Sequence, residues 1–321
     1  MAGLVGDIGG TWARFAVVEP DGTIGRVAVR PCAECPGLAE ALADYVAGEG
    51  MAAPPRRAAI SVACPVAGDR VSLTNHPWSF SIEELRDRFG FESLSVVNDF
   101  AAVARAVPRL RAGDFMQIGG GGPVSNAAMA VLGPGTGLGV SGLVPTGDGG
   151  WAVIEGEGGH ATMAATTPRE TRVLAELGRT FGHVSAERVL SGPGLVNLHA
   201  ALCRLDGEPP DPQMSPRDIV SAGLERHAPR PREALRLAAA MLGTFAADVA
   251  LTLGARGGVY IGGGLVPRYA HPFGQSGFRH RFEDKGRFSD YLAAIPTYVV
   301  LHEYPALLGL ASLVGPRQVP R

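Results

Sequence analysis

Two glycine-rich corners constrain the fold more than any other feature of the chain: GDIGGT at 6–11 and GPGTGLG at 133–139. An apolar run leads into each (Leu4-Val5 and Ala127 to Leu132), and another leads out (Ala13 to Val18 and Val140 to Val144). Beta-forming residues around a glycine corner read as strand, tight turn, strand. Each corner also carries a threonine, Thr11 or Thr136, so the pattern predicts two structurally similar halves. Further short strands are expected at Ala59–Ala63, at Ser95–Val97 ending in Asn98-Asp99, and at Gly257–Ile261 entering GGG at 262–264. Helical patterning covers Phe100–Val107, Pro168–Leu177, Ser185–Leu205, Pro231–Leu253 and Leu307–Leu313. GGGGP at 119–123 reads as a flexible connection and 206–218 as a proline-rich loop. Strands alternating with helices make this an α/β protein.

Composition narrows the classes. Of 321 residues, 46% are apolar and 19% charged, which excludes a disordered chain. Lys plus Arg total 29 against 31 Asp plus Glu, so no basic footprint for nucleic acid exists. Four cysteines are too few for a disulfide framework, and Cys32-Ala33-Glu34-Cys35 lacks the second pair of a zinc site. The N-terminus does not read as a signal peptide, and no apolar tract reaches the roughly 20 residues of a membrane span. The expectation is a cytoplasmic protein without nucleic-acid or membrane partners.

Glycine corners let backbone N–H groups approach an anion, although any tight turn can use glycine. The Walker pattern is excluded, since the only lysine is Lys285. A nucleotide held between two glycine hairpins remains. Asp7 beside such a corner is either a turn-forming Asp or a carboxylate that meets phosphates through Mg²⁺. Asn98-Asp99 is either a helix cap or a base with its neighbouring amide at a strand end. Glu157 and His160, in GEGGH at 156–160, suit hydrogen bonding to several hydroxyls. Glu187, in a first helical turn, reads locally as a surface residue.

Together with TNHPWSFSIEEL (74–85), NDF (98–100), HVSAERVLSGPGLVNL (183–198), GGGLVPR (262–268) and FEDKGRF (282–288), these motifs resemble the bacterial glucokinase family over essentially the whole chain. Its wider relatives are the sugar kinases, actin and heat-shock ATPases. The resemblance implies two ribonuclease-H-like (actin-like ATPase) domains with a cleft between them. Residues 1–109 plus 301–321 would form a small domain and 110–300 a large one. It implies ATP and glucose as substrates, Mg²⁺ as the metal, and a homodimer. The ATP residues would be Gly6, Asp7, Ile8, Gly9, Gly10 and Thr11; Gly133, Gly135, Thr136 and Gly137; and Gly262, Gly263 and Gly264. Asp7 would serve Mg²⁺ through water and phosphates. Asp99 would be the base toward the sugar's 6-hydroxyl, with Asn98, Glu157, His160 and Glu187 binding other hydroxyls.

Two departures stand out. Ala161–Ala165 lacks the cysteine-rich zinc motif that a related sugar-kinase group carries after its GEGGH-like segment, which implies no zinc. Trp12 follows the first corner, where a small polar residue is expected. A kinase for another hexose and a non-catalytic sugar sensor or switch ATPase are the alternatives.

Overall fold

A computed structural model describes residues 2–314 except Gly50, Ala52, Ala53 and Asn75. The chain divides into two compact units. The first comprises the stretch up to Arg111, residues 146–155 and the stretch from His302 on; the second comprises 112–145 and 156–301.

In the first unit the strands are β1 (Gly3–Ile8), β2 (Trp12–Val18), β3 (Ala28–Pro31), β4 (Arg57–Val62), β5 (Arg70–Ser72), β6 (Ser79–Ser81) and β7 (Ser93–Asn98). Five of them form a sheet in the order β3-β2-β1-β4-β7, and β5 pairs separately with β6. GDIGGT is the β1–β2 hairpin turn, with Ile8 opposite Ala13, while β4 and β7 continue parallel to β1. Leu4, Ile8, Phe15 and Ile60 are fully buried, in one cluster with Leu38, Leu42 and Tyr45 of the helix Leu38–Gly48. Helix Pro305–Val314 packs on β1, β4 and the helix Asp99–Ala106. Its Gly309 is a close-approach residue: a Cβ there would stand 1.8 Å from the carbonyl oxygen of Ala102. That contact seats the helix whose first turn carries Asp99.

The second unit contributes β8 (Phe115–Gly119), β9 (Met129–Pro134), β10 (Leu138–Pro145), β12 (Val259–Ile261) and β13 (Thr297–Val300); β11 (Trp151–Gly156) carries the chain into GEGGH. Here β10, β9, β12, β13 and β8 lie side by side in that order. Again an antiparallel hairpin, β9–β10, turns at the glycine corner, and β12 and β13 follow parallel to β9. The two halves therefore repeat one topology, hairpin then parallel strands. Beneath the second sheet, helix Pro229–Leu253 is long and apolar enough to cross a membrane, yet 67% of its apolar window is buried inside the protein. It is a core helix.

Three expectations need correction. The helix anticipated over 185–205 is two, Glu187–Leu190 and Gly192–Leu205, because Ser191 is extended and caps the second through Gly194 N–H. The 206–218 loop ends early: Ser215 and Asp218 form a reciprocal capping box that starts helix Pro216–Leu224. GGGGP is not slack, since Gly120 has φ +86° and a Cβ on it would meet the Ile295 carbonyl oxygen at 2.2 Å.

One polar cluster lies inside the second core. Glu170 is fully buried and accepts from Arg281 Nη1 at 2.7 Å and Nη2 at 3.3 Å, while Thr166 N–H donates at 2.8 Å. Burial alone would raise the Glu170 pKa, but the hydrogen bonds from Arg281 and Thr166 outweigh it and hold the pKa below the ordinary glutamate value. A carboxyl with a lowered folded-state pKa adds stability above its unfolded value, near 4.3, and loses it as pH falls through the folded value. Glu170→Gln leaves Arg281 without its counter-charge. It is expected to cost about 3–5 kcal/mol at pH 7, and the difference from wild type should shrink as the pH is lowered below about 4. Urea titrations across pH measure both. Equal stability of the two proteins at pH 7 would remove this pair from the stabilising interactions.

Candidate active site

The residues singled out by sequence fall into two sets, one in each unit. In the first unit Asp7 lies on β1, directly opposite Arg14 on β2 and beside Ser61 on β4. Its carboxylate accepts from Ser61 Oγ at 2.8 Å and from Arg14 Nη1 at 3.2 Å, and its side chain is 18% exposed. Burial pushes its pKa up from the usual aspartate value, against those two hydrogen bonds, which pull it down. A hard carboxylate oxygen at a glycine turn fits Mg²⁺ held mainly by substrate phosphates and water. A full protein cage is absent: among the described residues no three His, Cys, Asp or Glu side chains are grouped to hold a metal.

The turn itself is tightly fixed. Gly9 N–H donates to the Trp12 carbonyl at 3.0 Å, so this amide serves the turn rather than a ligand. Cys32 holds it from outside, its N–H donating to the Thr11 carbonyl at 2.9 Å and its Sγ to the Gly9 carbonyl at 3.4 Å. Cys35 and Cys32 are both free thiols, and Trp78 Nε1 donates to the Cys35 carbonyl. Cys32 thus braces the first turn. Its sequence spacing carries no signal of that role. Trp12 is 43% exposed at the start of β2, on the same face as Arg14.

Asn98 ends β7 with extended backbone and is the N-cap of Asp99–Ala106. Its Oδ1 accepts from Phe100 N–H at 2.9 Å and Ala101 N–H at 3.3 Å, and its Nδ2 donates to the Cys64 carbonyl at 3.4 Å. Asp99 occupies the first helical position and accepts from Phe100 N–H at 2.8 Å. The cap function therefore belongs to Asn98, not to Asp99. The amide oxygen of Asn98 already takes two backbone donors, so its NH₂ is the group suited to a ligand.

In the second unit the glycine turn between β9 and β10 leaves Thr136 exposed, and Gly135 N–H is used within the turn, donating to Gly137 O at 2.8 Å. The GGG segment at 262–264 packs on this turn. Gly262 N–H donates to Leu132 O at 2.7 Å and Leu265 N–H to Pro134 O at 3.1 Å. Gly263 has φ +82° and sits so close that a Cβ would be 2.4 Å from the Pro134 carbonyl oxygen. Only glycine fits there. GEGGH forms a 3₁₀ turn over Gly158–His160, with the Glu157 and His160 side chains 58% and 61% exposed and 4.0 Å apart. Ala186 N–H donates to the Ala161 carbonyl at 2.8 Å, so the chain neighbours of Glu187 and His160 are hydrogen-bonded to each other. Gly133, Gly135, Thr136 and Gly137 are thus brought together with Gly262, Gly263 and Gly264, and Glu157 and His160 with Glu187.

Comparison with known proteins decides the family. The Glucokinase family model matches residues 4–316. The chain belongs to the glucokinase family. A glucokinase from Aromatoleum aromaticum is 54% identical over 310 residues, covering 96% of this chain and 93% of that protein. One from Paramagnetospirillum magneticum is 50% identical over 312 residues, covering 97% of each. Among solved structures, a glucokinase from an Antarctic psychrotroph superposes with a TM-score of 0.86 at 36% identity, covering 97% of this chain and 98% of that one. The family relationship carries the two-domain actin-like ATPase fold, in keeping with the repeated hairpin-and-parallel sheets.

Proposed function

We propose that this chain transfers the γ-phosphoryl group of ATP to the 6-hydroxyl of glucose, giving glucose 6-phosphate and ADP and feeding glycolysis. The observation that carries the reading is the full-length relationship to glucokinases, at 54% identity over 310 residues. The residue roles are our assignment, supported by the local geometry of each unit.

Phosphoryl transfer leaves little covalent work to a protein, so positioning and charge neutralisation do most of it. Asp99 accepts the proton of the 6-hydroxyl as its oxygen attacks, and Asn98 Nδ2 donates to a neighbouring hydroxyl. Glu157, His160 and Glu187 hold the remaining hydroxyls, the carboxylates as acceptors and the imidazole as donor or acceptor. Gly6, Ile8, Gly9, Gly10 and Thr11, with Gly133, Gly135, Thr136 and Gly137, form the phosphate-side backbone; Gly262, Gly263 and Gly264 lie on the adenosine side. Mg²⁺ bound to ATP supplies positive charge against the charge spread over the transferred group, and Asp7 is the carboxylate suited to hold it through water. Water is a competing acceptor, so the productive arrangement must form only when sugar is present.

We place the enzyme in the cytoplasm, where ATP is available and its four free thiols stay reduced. We further assign it a homodimeric state and no requirement for zinc. A coupled assay of ADP release with and without glucose, in buffer holding Mg²⁺ but stripped of zinc, tests the reading. Sugar-dependent ADP release with the highest kcat/KM for glucose among glucose, mannose and fructose is expected. ADP release that ignores sugar would point instead to a switch ATPase, and none at all to a sensor.

A further inference from the structure

The carboxylate of Glu187 does more in this fold than face a sugar. Its Oε2 accepts the Leu138 backbone N–H at 2.9 Å, the first amide of β10 after the glycine turn. It lies so close to the turn that a Cβ on Gly137 would stand 2.5 Å from the same oxygen. The next residues grip the other side: Gly192 N–H donates to the Gly135 carbonyl at 2.8 Å. Ser191 Oγ donates to the Glu187 carbonyl at 2.8 Å, tying the two grips into one segment. Glu187 Oε1 takes no hydrogen bond among the described residues. The carboxylate therefore has one oxygen committed to the turn and one open to a ligand.

We propose that Glu187 is a positioning residue for the glycine turn at 133–139, fixing Leu138 N–H so that the turn keeps the shape in which it receives the nucleotide phosphates. The same side chain joins the sugar-facing cluster to that turn, so sugar held on Oε1 steadies the nucleotide side through Oε2. A carboxylate on a backbone amide is a charge-assisted hydrogen bond, stronger than a neutral one. Any effect of sugar on nucleotide affinity must be reciprocal. The inference rests on the reading that this turn takes ATP phosphates.

The test is equilibrium binding of Mg²⁺–AMPPNP, with and without glucose, to the intact wild type, Glu187→Gln and Glu187→Ala. Glutamine keeps an oxygen for Leu138 N–H but loses the charge; alanine removes the acceptor altogether. Glu187→Ala should bind AMPPNP about tenfold more weakly without any sugar, the scale of one charge-assisted hydrogen bond, and glucose should no longer tighten it. Glu187→Gln should restore most of the sugar-free AMPPNP affinity while its glucose affinity stays reduced. Amide exchange at Leu138 gives a second readout: protected in wild type and the Gln variant, fast in the folded Ala variant, whose Leu138 N–H has lost its acceptor. Wild-type AMPPNP affinity in folded Glu187→Ala, or unaltered protection of Leu138, would overturn the proposal. Failure of wild type to release ADP with glucose would overturn the kinase reading instead, and the two results are separable.

Discussion

Asp99→Asn should lower kcat by about 10²–10⁴, the usual range for loss of a general base, while thermal stability and most of the glucose affinity persist. Asparagine keeps the size of the side chain and one acceptor oxygen, so the Phe100 N–H that donates to Asp99 at 2.8 Å keeps its partner. What it loses is the ability to take up a proton at neutral pH. The geometry removes the competing explanation of a large effect through helix capping. Asn98 is the N-cap, with extended backbone (φ −63°, ψ 148°) and Oδ1 on two helix amides, and the substitution does not touch it. The converse variant separates the neighbours: Asn98→Ala loses the cap and should cost about 1 kcal/mol of stability. Steady-state turnover and thermal melts of both proteins check the pair. Near wild-type turnover in Asp99→Asn would return that carboxylate to a structural role.

The same two residues show how far the sequence could be read. Asn and Asp are equally good caps, so Asn98-Asp99 announced a helix start without saying which residue caps it. That depends on where β7 leaves the sheet, which neighbouring strands decide. The glycine corners were legible because an apolar run on both sides leaves few alternatives to a hairpin. β8 and β13 were not, since Phe115–Gly119 and Thr297–Val300 are short strands with no turn signal binding them together, and they pair across a long separation. Glu187 reads locally as a surface residue for a related reason. Its partner, Leu138, lies 49 residues away, and nothing within one helical turn reveals the contact. Cys32 is the same case at shorter range, its bond to the Gly9 carbonyl spanning 23 residues. Local pattern exposes turns and caps; contacts between distant backbones stay hidden.

Gly159→Ala tests such a hidden contact, and its effect should rival that of the Asp99 variant. In sequence the GEGGH glycines show no helical or strand period around Glu157 and His160. In the fold Gly159 is pressed on β10, where a Cβ would lie 2.1 Å from the Leu138 carbonyl oxygen. That atom is backbone, so no side-chain rotation relieves the clash and the 3₁₀ turn must lift away. Glu157 and His160 flank Gly159 and would move with it. A misplacement of about 1 Å at a substrate-positioning group costs on the order of 10²-fold, so kcat/KM for glucose should fall by about that factor. Leu138 also carries the amide held by Glu187, so the shift should reach the glycine turn at 133–139 as well. Gly156→Ala supplies the control within the same segment: a Cβ there meets nothing within 4 Å, and activity should stay near wild type. If flexibility were what the segment needs, both substitutions would impair the enzyme alike. A steep loss at 159 with none at 156 shows that the glycine is required for close approach, and that the GEGGH turn is seated directly on the strand that leaves the second glycine corner.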